Sequence, residues 1–538
     1  MLKMLKGITF ISVLLASSLL YSQDKKLDVL RQDQKIADVT VKHLYSAKDS
    51  SIIGAKFEHT SGAPIYVLQI QTVPQVFMWV DTTSRSNNGL AHALEHLLAG
   101  KGTTGRYVNL LRDMRLSISK AATIDDYNMY SFSSGSGVAA FYEQFHAWLN
   151  ALYLSDFTDV EAQREFYHFG VSRDPGTSTP SLIEEGSVYD EMQTGVGTSD
   201  YYFGLNQRVF GPNNPFAFYN SGVPSEMRKV HAGDIRHFYQ EHYRLGPTTG
   251  FVFVLDPNED AIEFIKHISS ELSRINHSST QHDLEPDTPK YPTSPARDKI
   301  ISLFPFPSES DSDRGDIRFG WSLPTTDSAV DIKFLQLLFR VLADGEKSLL
   351  YRSSVDSRTR NFDSGANQVE GSIFLQNSPH YPAAFVGFSG LPIKYLNVKH
   401  VDELRSQVVE TMKKVASMKP GSKELAEFNR AAKSEALAWR RSQSVWIKNS
   451  PRFGENYQTD WKEYFEYLDI NPAFVQSIGD ESVWDGVDKR LGSPKNIWAE
   501  VIQRFRLLDM PYGTASVPSL SLFKREEVSR QERISDEL

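Results

Sequence analysis

The sequence predicts an α+β protein made of two successive α/β repeats, each a mixed, largely antiparallel sheet packed with helices. Three observations carry this. Short apolar runs of strand length alternate with segments of helical period up to about residue 255. A stretch without apolar periodicity follows, with four prolines among serines, threonines and charges between Asn276 and Arg297. After it the same strand-then-helix order begins again. The division expected is a first α/β unit over 23–275, a linker over 276–298, a second unit over 299–515 and a charged tail over 516–538.

Composition agrees. A chain of 538 residues at 40% hydrophobic can bury more than one core. Its net charge of −9 gives no basic footprint, which excludes nucleic acid as the expected partner. There is no cysteine, so no disulfide framework and no lipid-bearing cysteine. At the N-terminus, Lys3 and Lys6 precede the apolar run Ile8 to Tyr21. That run is too short to span a bilayer and reads as a signal peptide over 1–22, so the expected location is the periplasm or outside the cell, with no stable membrane span.

In chain order, Ile52 to Phe57 and Ile65 to Ile70 read as strands separated by Ser61-Gly62. The run Gly89-Leu-Ala-His-Ala-Leu-Glu-His96 reads as a helix. Ser119 to Tyr130 reads as an edge strand with alternating polar residues, suited to pair with an extended peptide. Phe141, Phe145, Trp148, Leu149 and Leu152 recur at helical spacing and belong to a core. Ser181 to Met192 reads as a helix, and Phe251 to Leu255 as a strand. Beyond the linker, Ile317 to Leu323 predicts a strand; Val330, Phe334, Leu337, Leu338 and Val341 predict a helix. Ala383 to Phe388 and Val401 to Val415 repeat that pair. The tail from Lys524 is a solvated helix or disordered.

One run carries chemistry. His92 and His96 are four residues apart, so their imidazoles lie one above the other on a helix face and both can reach one metal ion. Glu95 sits beside them, placed to take a proton from water rather than to be a ligand, and the whole is an inverted H-x-x-E-H pattern. Catalytic zinc takes three protein ligands and keeps one position open, so a carboxylate must come from elsewhere. Glu191 offers one, 95 residues beyond His96 (191 − 96). Glu184 lies seven residues earlier, two helical turns back on the same face. It would either orient the site from behind the ligands or form a capping box with Ser181.

These residues, with Phe57-Glu-His-Thr-Ser-Gly-Ala63, Val188-Tyr-Asp-Glu-Met192 and Asn220-Ser-Gly-Val-Pro-Ser-Glu-Met-Arg-Lys-Val-His231, resemble the pitrilysin/insulinase family of zinc peptidases, and within it the presequence-protease branch. The resemblance spans roughly residues 45 to 510 and covers the N-terminal half of that branch. It implies a zinc ion on His92, His96 and Glu191, Glu95 as catalytic base, and short unfolded peptides as substrates. Where active members place an arginine and a tyrosine seven residues apart, in a clamp that closes over the metal, this chain has Val355 and Phe362. Neither can donate a hydrogen bond to an oxyanion. A complete chamber then needs a partner chain that supplies the clamp, or a homodimer. Lys120 replaces the family's substrate-binding asparagine, while the following Ala121, with Thr123, Asp126 and Tyr130, remains. A lysine still donates to a peptide carbonyl, as a flexible point charge.

The function expected is that of a zinc metalloendopeptidase working with a second half or subunit. Its rivals are a weakly catalytic or non-catalytic regulatory subunit of a peptidase complex, and an exported structural module in which the motif is fortuitous.

Overall fold

The computed structural model describes residues 27–46, 50–83, 85–114, 116, 118–124, 126–173, 180–278, 301–310, 312–326, 328–374, 382–449, 462, 465 and 481–538. The first half of the chain forms an eight-stranded sheet in the order β1-β2-β3-β4-β10-β5-β7-β6. Its strands are β1 Lys35–Ile36, β2 Val39–Ser46, β3 Ile52–His59, β4 Pro64–Gln69, β5 Gln75–Asp81, β6 Ile118–Thr123, β7 Tyr127–Ser133 and β10 Thr249–Leu255. β8 His168–Arg173 and β9 Pro180–Glu185 form a separate antiparallel ribbon. In the main sheet only β4 and β10 pair in parallel. The helices of this half are α1 Leu90–Gly100, α2 Gly102–Asp113, α3 Val138–Tyr153, α4 Asp159–Phe166, α5 Ser187–Phe210, α6 Ala232–His242 and α7 Ala261–Ser278.

Central strands β4, β5 and β10 are buried on both faces, which is why Val76-Phe-Met-Trp-Val80 and Phe251-Val-Phe-Val-Leu255 read as unbroken apolar runs. On one face, Phe251 and Phe253 meet Phe145 of α3 edge to face, and Phe264 of α7 joins them. On the other, Tyr45, Tyr66, Phe77 and Trp79 pack with Ala329, Phe465 and Val483 from later in the chain. Phe465 stacks on Tyr66 with ring centroids 4.2 Å apart. The buried Lys462 ammonium reaches Asp81 at 3.3 Å and Asp126 at 3.9 Å.

The second half builds a five-stranded sheet in the order β11-β15-β12-β14-β13, from β11 Ile301–Pro307, β12 Arg314–Ser322, β13 Gln368–Phe374, β14 Ala383–Pro392 and β15 Tyr512–Ser519. Only β11 and β15 are parallel. Its helices are α8 Ala329–Ala343, α9 Leu349–Ser354, α10 Val398–Ala416, α11 Lys423–Asn449, α12 Glu481–Leu491, α13 Ile497–Arg504 and α14 Leu520–Glu537. Phe334, Leu337 and Leu338 of α8 face Ile317, Phe319, Val386 and Phe388 of the sheet, with Trp498 among them. Both sheets are thus mixed and largely antiparallel.

Helix α5 spans the two halves. It begins beside the ribbon and ends with Leu205, Val209 and Phe210 packed against Phe385 and Tyr512 of the second sheet. Gly204 lets the Phe304 ring of β11 lie against the helix, since a Cβ there would sit 2.1 Å from the ring.

The expected helix over Ser181 to Met192 is corrected. Residues up to Glu185 are strand β9, paired with β8, and the helix starts only at Ser187. Pairing with a strand elsewhere in the chain overrides a helix-compatible local pattern. Gly186 divides the two elements at φ 156°, packed so closely on Phe166 that a Cβ would lie 2.4 Å from its carbonyl oxygen. Ser181 and Glu184 are therefore no capping box. The tail is a helix from Leu520, and β15 runs on to Ser519, past the residue 515 at which the second unit was expected to end. The expected signal segment 1–22 lies outside the described residues, as does the linker beyond Ser278. No helix among the described residues is long and apolar enough to cross a membrane.

Candidate active site

Helix α1 is held from three sides. It starts at Gly89, with φ 74°, where a Cβ would lie 3.0 Å from both Gly222 Cα and Ser221 O. Two glycines in left-handed or extended-positive backbone therefore let the 219–223 segment close on the start of the helix. Asn87 ties that segment down, accepting from Tyr219 N and from Val223 N, each at 2.7 Å. Across the sheet, the fully buried Asn128 donates to Ala91 O at 2.7 Å and to Tyr243 Oη at 2.8 Å.

This packing orients the two imidazoles. His92 Nδ1 lies 3.0 Å from Ser221 O, and His96 Nδ1 lies 3.0 Å from Glu165 Oε1. Both partners only accept, so each Nδ1 carries the proton and each Nε2 presents a lone pair outward. Glu165, on α4, is itself held by Lys101 Nζ, 2.6 Å from its other oxygen. Into the space in front of the two Nε2 atoms α5 brings Glu191, with Oε2 3.7 Å from His92 Nε2 and 3.5 Å from His96 Nε2. Ligands at zinc bond lengths around a tetrahedral centre stand about 3.3 Å apart, and the two histidine-to-Glu191 separations lie within a few tenths of an ångström of that. All three ligand atoms lie within 4.8 Å of one another, and among the described residues this is the one such group of histidines and acids. The Glu191 side chain is 55% exposed against 6% for His92, which leaves the front of the site open to a substrate.

Glu95 Oε2 stands 3.8 Å from His92 Nε2 and 3.9 Å from His96 Nε2, beside the group rather than across it. Burial pushes its carboxyl above the ordinary glutamate range; His96 and Lys120 oppose this, while Glu191 and Glu165 add to it. A base raised in this way accepts protons at a pH nearer neutrality. Burial, with the adjacent His96, lowers His92, which keeps it neutral as a ligand must be. Burial alone would lower His96 as well, but Glu165, Glu95 and Glu191 outweigh it and the net shift is upward. Burial would raise Glu165, yet its bonds to His96 and Lys101 bring it down to about 2, so it stays ionised behind the ligand.

The structure thus brings His92, Glu95, His96 and Glu191 together. Lys120 and Ala121 lie on edge strand β6, which runs along α1, and the Lys120 charge acts on Glu95. Glu184 does not join them as expected. It lies on β9 and bonds Tyr167 and Arg533, because the chain before Gly186 is extended rather than helical. Glu165 and Ser221 are the groups that support the histidines, and no local pattern marks either. Val355 closes α9 inside the second core, and Phe362 packs on that core and stacks on His400.

No family model matches the chain. A mitochondrial presequence protease of Eremothecium gossypii is 27% identical over 184 residues, covering 32% of this chain and 18% of that protein. The one of Saccharomyces cerevisiae is 21% identical over 291 residues, covering 51% and 27%. The matches therefore span well under a third of these relatives' own length. Among solved structures, a protease from Helicobacter pylori superposes with a TM-score of 0.59 at 13% identity, over 87% of this chain and 99% of that one. A putative M16-like peptidase from Alicyclobacillus acidocaldarius gives 0.56 at 15%, over 87% and 98%. A structure described as a peptidase M16 inactive domain, from Pseudomonas fluorescens, gives 0.56 at 12%, over 86% and 97%. The fold is that of the M16-like peptidases. In sequence, the chain is similar to the two presequence proteases over part of its length.

Proposed function

We propose that the protein is a zinc metalloendopeptidase that cleaves short, unstructured peptides and works with a second half or subunit. The observation that carries this is the convergence of His92 Nε2, His96 Nε2 and a Glu191 oxygen within 4.8 Å, with the Glu95 carboxylate alongside. The donor set of two imidazoles and one carboxylate, with both Nδ1 protons tied back, suits zinc. When bound, a zinc ion supplies Lewis-acid polarisation of a carbonyl and of water. The chain does the rest. Glu95 takes the proton from the attacking water and returns it to the leaving amine, a role its raised affinity for protons suits. β6, at the sheet edge beside α1, offers backbone groups to an extended peptide, with Lys120 as an added donor.

A second reading has its own observation. Val355 and Phe362 pack in the second core and present no oxyanion donor, so these two positions do not supply the clamp that the family resemblance leads one to expect there. The clamp would come from a partner chain or a second copy; a chain that never meets one would act as a regulatory subunit. The deciding experiment is hydrolysis of a quenched, unstructured peptide by the zinc-loaded chain, with Glu95→Gln as the blank. Turnover that disappears in the variant while one zinc stays bound supports a self-sufficient peptidase. Zinc bound without turnover supports the half-enzyme, and undiminished turnover in Glu95→Gln would remove Glu95 from the mechanism.

A further inference from the structure

Helix α14 has no buried residue, yet two arginines on it reach Glu184 in the first half of the chain, Arg530 at the outer limit of an ion pair, 4.0 Å from Oε2, and Arg533 in direct contact. Arg533 meets Glu184 edge on, Nε to Oε1 at 2.7 Å and Nη2 to Oε2 at 2.8 Å, while its Nη1 bonds Ser529 Oγ at 2.9 Å. The Glu184 side chain is 1% exposed, and Tyr167 Oη donates to its Oε1 at 2.8 Å. A two-point guanidinium contact to a buried carboxylate fixes both position and direction. Exposed ion pairs contribute little, but loss of one partner here would strand a buried charge.

What Glu184 fixes is the start of the helix that carries Glu191. Two residues on, Gly186 is pressed onto the Phe166 and Tyr167 backbone, and α5 begins at the next residue. The Tyr167 ring that donates to Glu184 packs on Tyr189 at 4.8 Å between centroids, and Tyr189 Oη accepts from Arg228 at 2.8 Å. Glu191 follows two positions later. His92 and His96 are anchored through α1, Ser221 and Glu165, whereas Glu191 is the exposed member of the group and takes its place from α5. At its other end α5 rests on the second sheet through Gly204, Val209 and Phe210.

We propose that Arg533 is a positioning residue for the metal-binding group. By gripping Glu184, and through it Tyr167 and Tyr189, it seats the first turns of α5 and so sets how closely Glu191 approaches His92 and His96. This rests on the metal reading above and adds to it a residue from α14, the last helix of the second half.

The test compares the wild-type chain with Arg533→Ala, Arg533→Lys and, as a control on the exposed face of the same helix, Arg525→Ala. The readouts are the dissociation constants for Zn2+ and Co2+ by chelator competition, the visible spectrum of the Co2+ form, and the melting temperature of the metal-free proteins. Arg533→Ala is expected to weaken metal binding about 10- to 100-fold and to alter the Co2+ spectrum, with a metal-free protein that melts lower than the wild type but still unfolds cooperatively. Arg533→Lys should recover part of the affinity, and Arg525→Ala should match the wild type. Wild-type affinity and spectrum in Arg533→Ala would overturn the inference while leaving the metal reading intact. So would a loss of affinity matched by collapse of the metal-free fold. A wild-type chain that binds neither metal removes the metal reading and this inference together.

Discussion

His96 Nδ1 stands 3.0 Å from Glu165 Oε1, and the second oxygen of that carboxylate stands 2.6 Å from Lys101 Nζ. The three residues come from the end of α1, the turn after it and α4, so the histidine is aimed by a helix far from its own in sequence. An ionised acceptor at Nδ1 fixes the ring and makes Nε2 more basic.

Glu165→Gln tests this directly. The amide keeps the shape but loses the charge, so metal affinity should fall about 10- to 100-fold. The Glu95→Gln variant, which leaves every ligand and its support in place, should bind metal as the wild type does. Competition against a chelator measures both. Equal affinities in Glu165→Gln and wild type would mean that the contact is packing without consequence for the ligand.

A pH effect follows from Glu184. Burial would raise its carboxyl, but the bonds from Arg533 and Tyr167 outweigh burial and hold it below the ordinary value of 4.5. A carboxylate depressed in the folded state contributes stability that is complete above its unfolded pKa and is lost as pH falls through the folded one. The metal-free wild type should therefore melt higher than Glu184→Gln at neutral pH, and the gap should narrow as pH is lowered below about 4.5. Melting curves from pH 7 to pH 3 measure it. A gap that stays constant down to pH 3 would mean that the contribution is packing rather than charge.

What could be read from sequence was what is local. The four-residue spacing of His92 and His96 is a property of one helix, and the runs at Ile65 and Phe251 are buried strands wherever they pair. What could not be read depends on partners distant in sequence. Glu165 follows His96 by 69 residues (165 − 96), and its role exists only once α4 packs on α1. Ser221 contributes a backbone carbonyl, which no side-chain pattern can mark. Glu184 shows the opposite failure: a spacing of seven from Glu191 suggested one helix face, but pairing with β8 makes that stretch a strand, and its partner is an arginine 349 residues later.

The union of the two halves gives a third prediction. Lys462 is buried on the far face of the first sheet, with Asp81 at 3.3 Å, Asp126 at 3.9 Å and the Tyr127 ring 4.7 Å away. Replacing it by methionine takes the neighbouring cation away from the buried Asp126 and the partly exposed Asp81, and breaking a buried pair from one side costs about 3–5 kcal/mol. Urea unfolding of Lys462→Met should show a loss of that order. The double variant Lys462→Met with Asp126→Asn should recover part of it, because one stranded charge is gone. A double variant no more stable than the single one would mean that Lys462 acts by filling space.

The last prediction concerns Lys120, where the family resemblance leads one to expect an asparagine. Its charge is among those that hold the Glu95 carboxyl down against burial and against Glu191. Lys120→Met removes that charge, so Glu95 should bind its proton more tightly, and the acidic limb of the kcat/KM profile should move to higher pH. A bound metal adds the same attraction for the carboxylate in both proteins and cancels in the comparison. Peptide cleavage from pH 5 to pH 9 in wild type and variant measures the shift. An acidic limb that does not move, with only KM raised, would assign Lys120 to the peptide carbonyl instead of to the base.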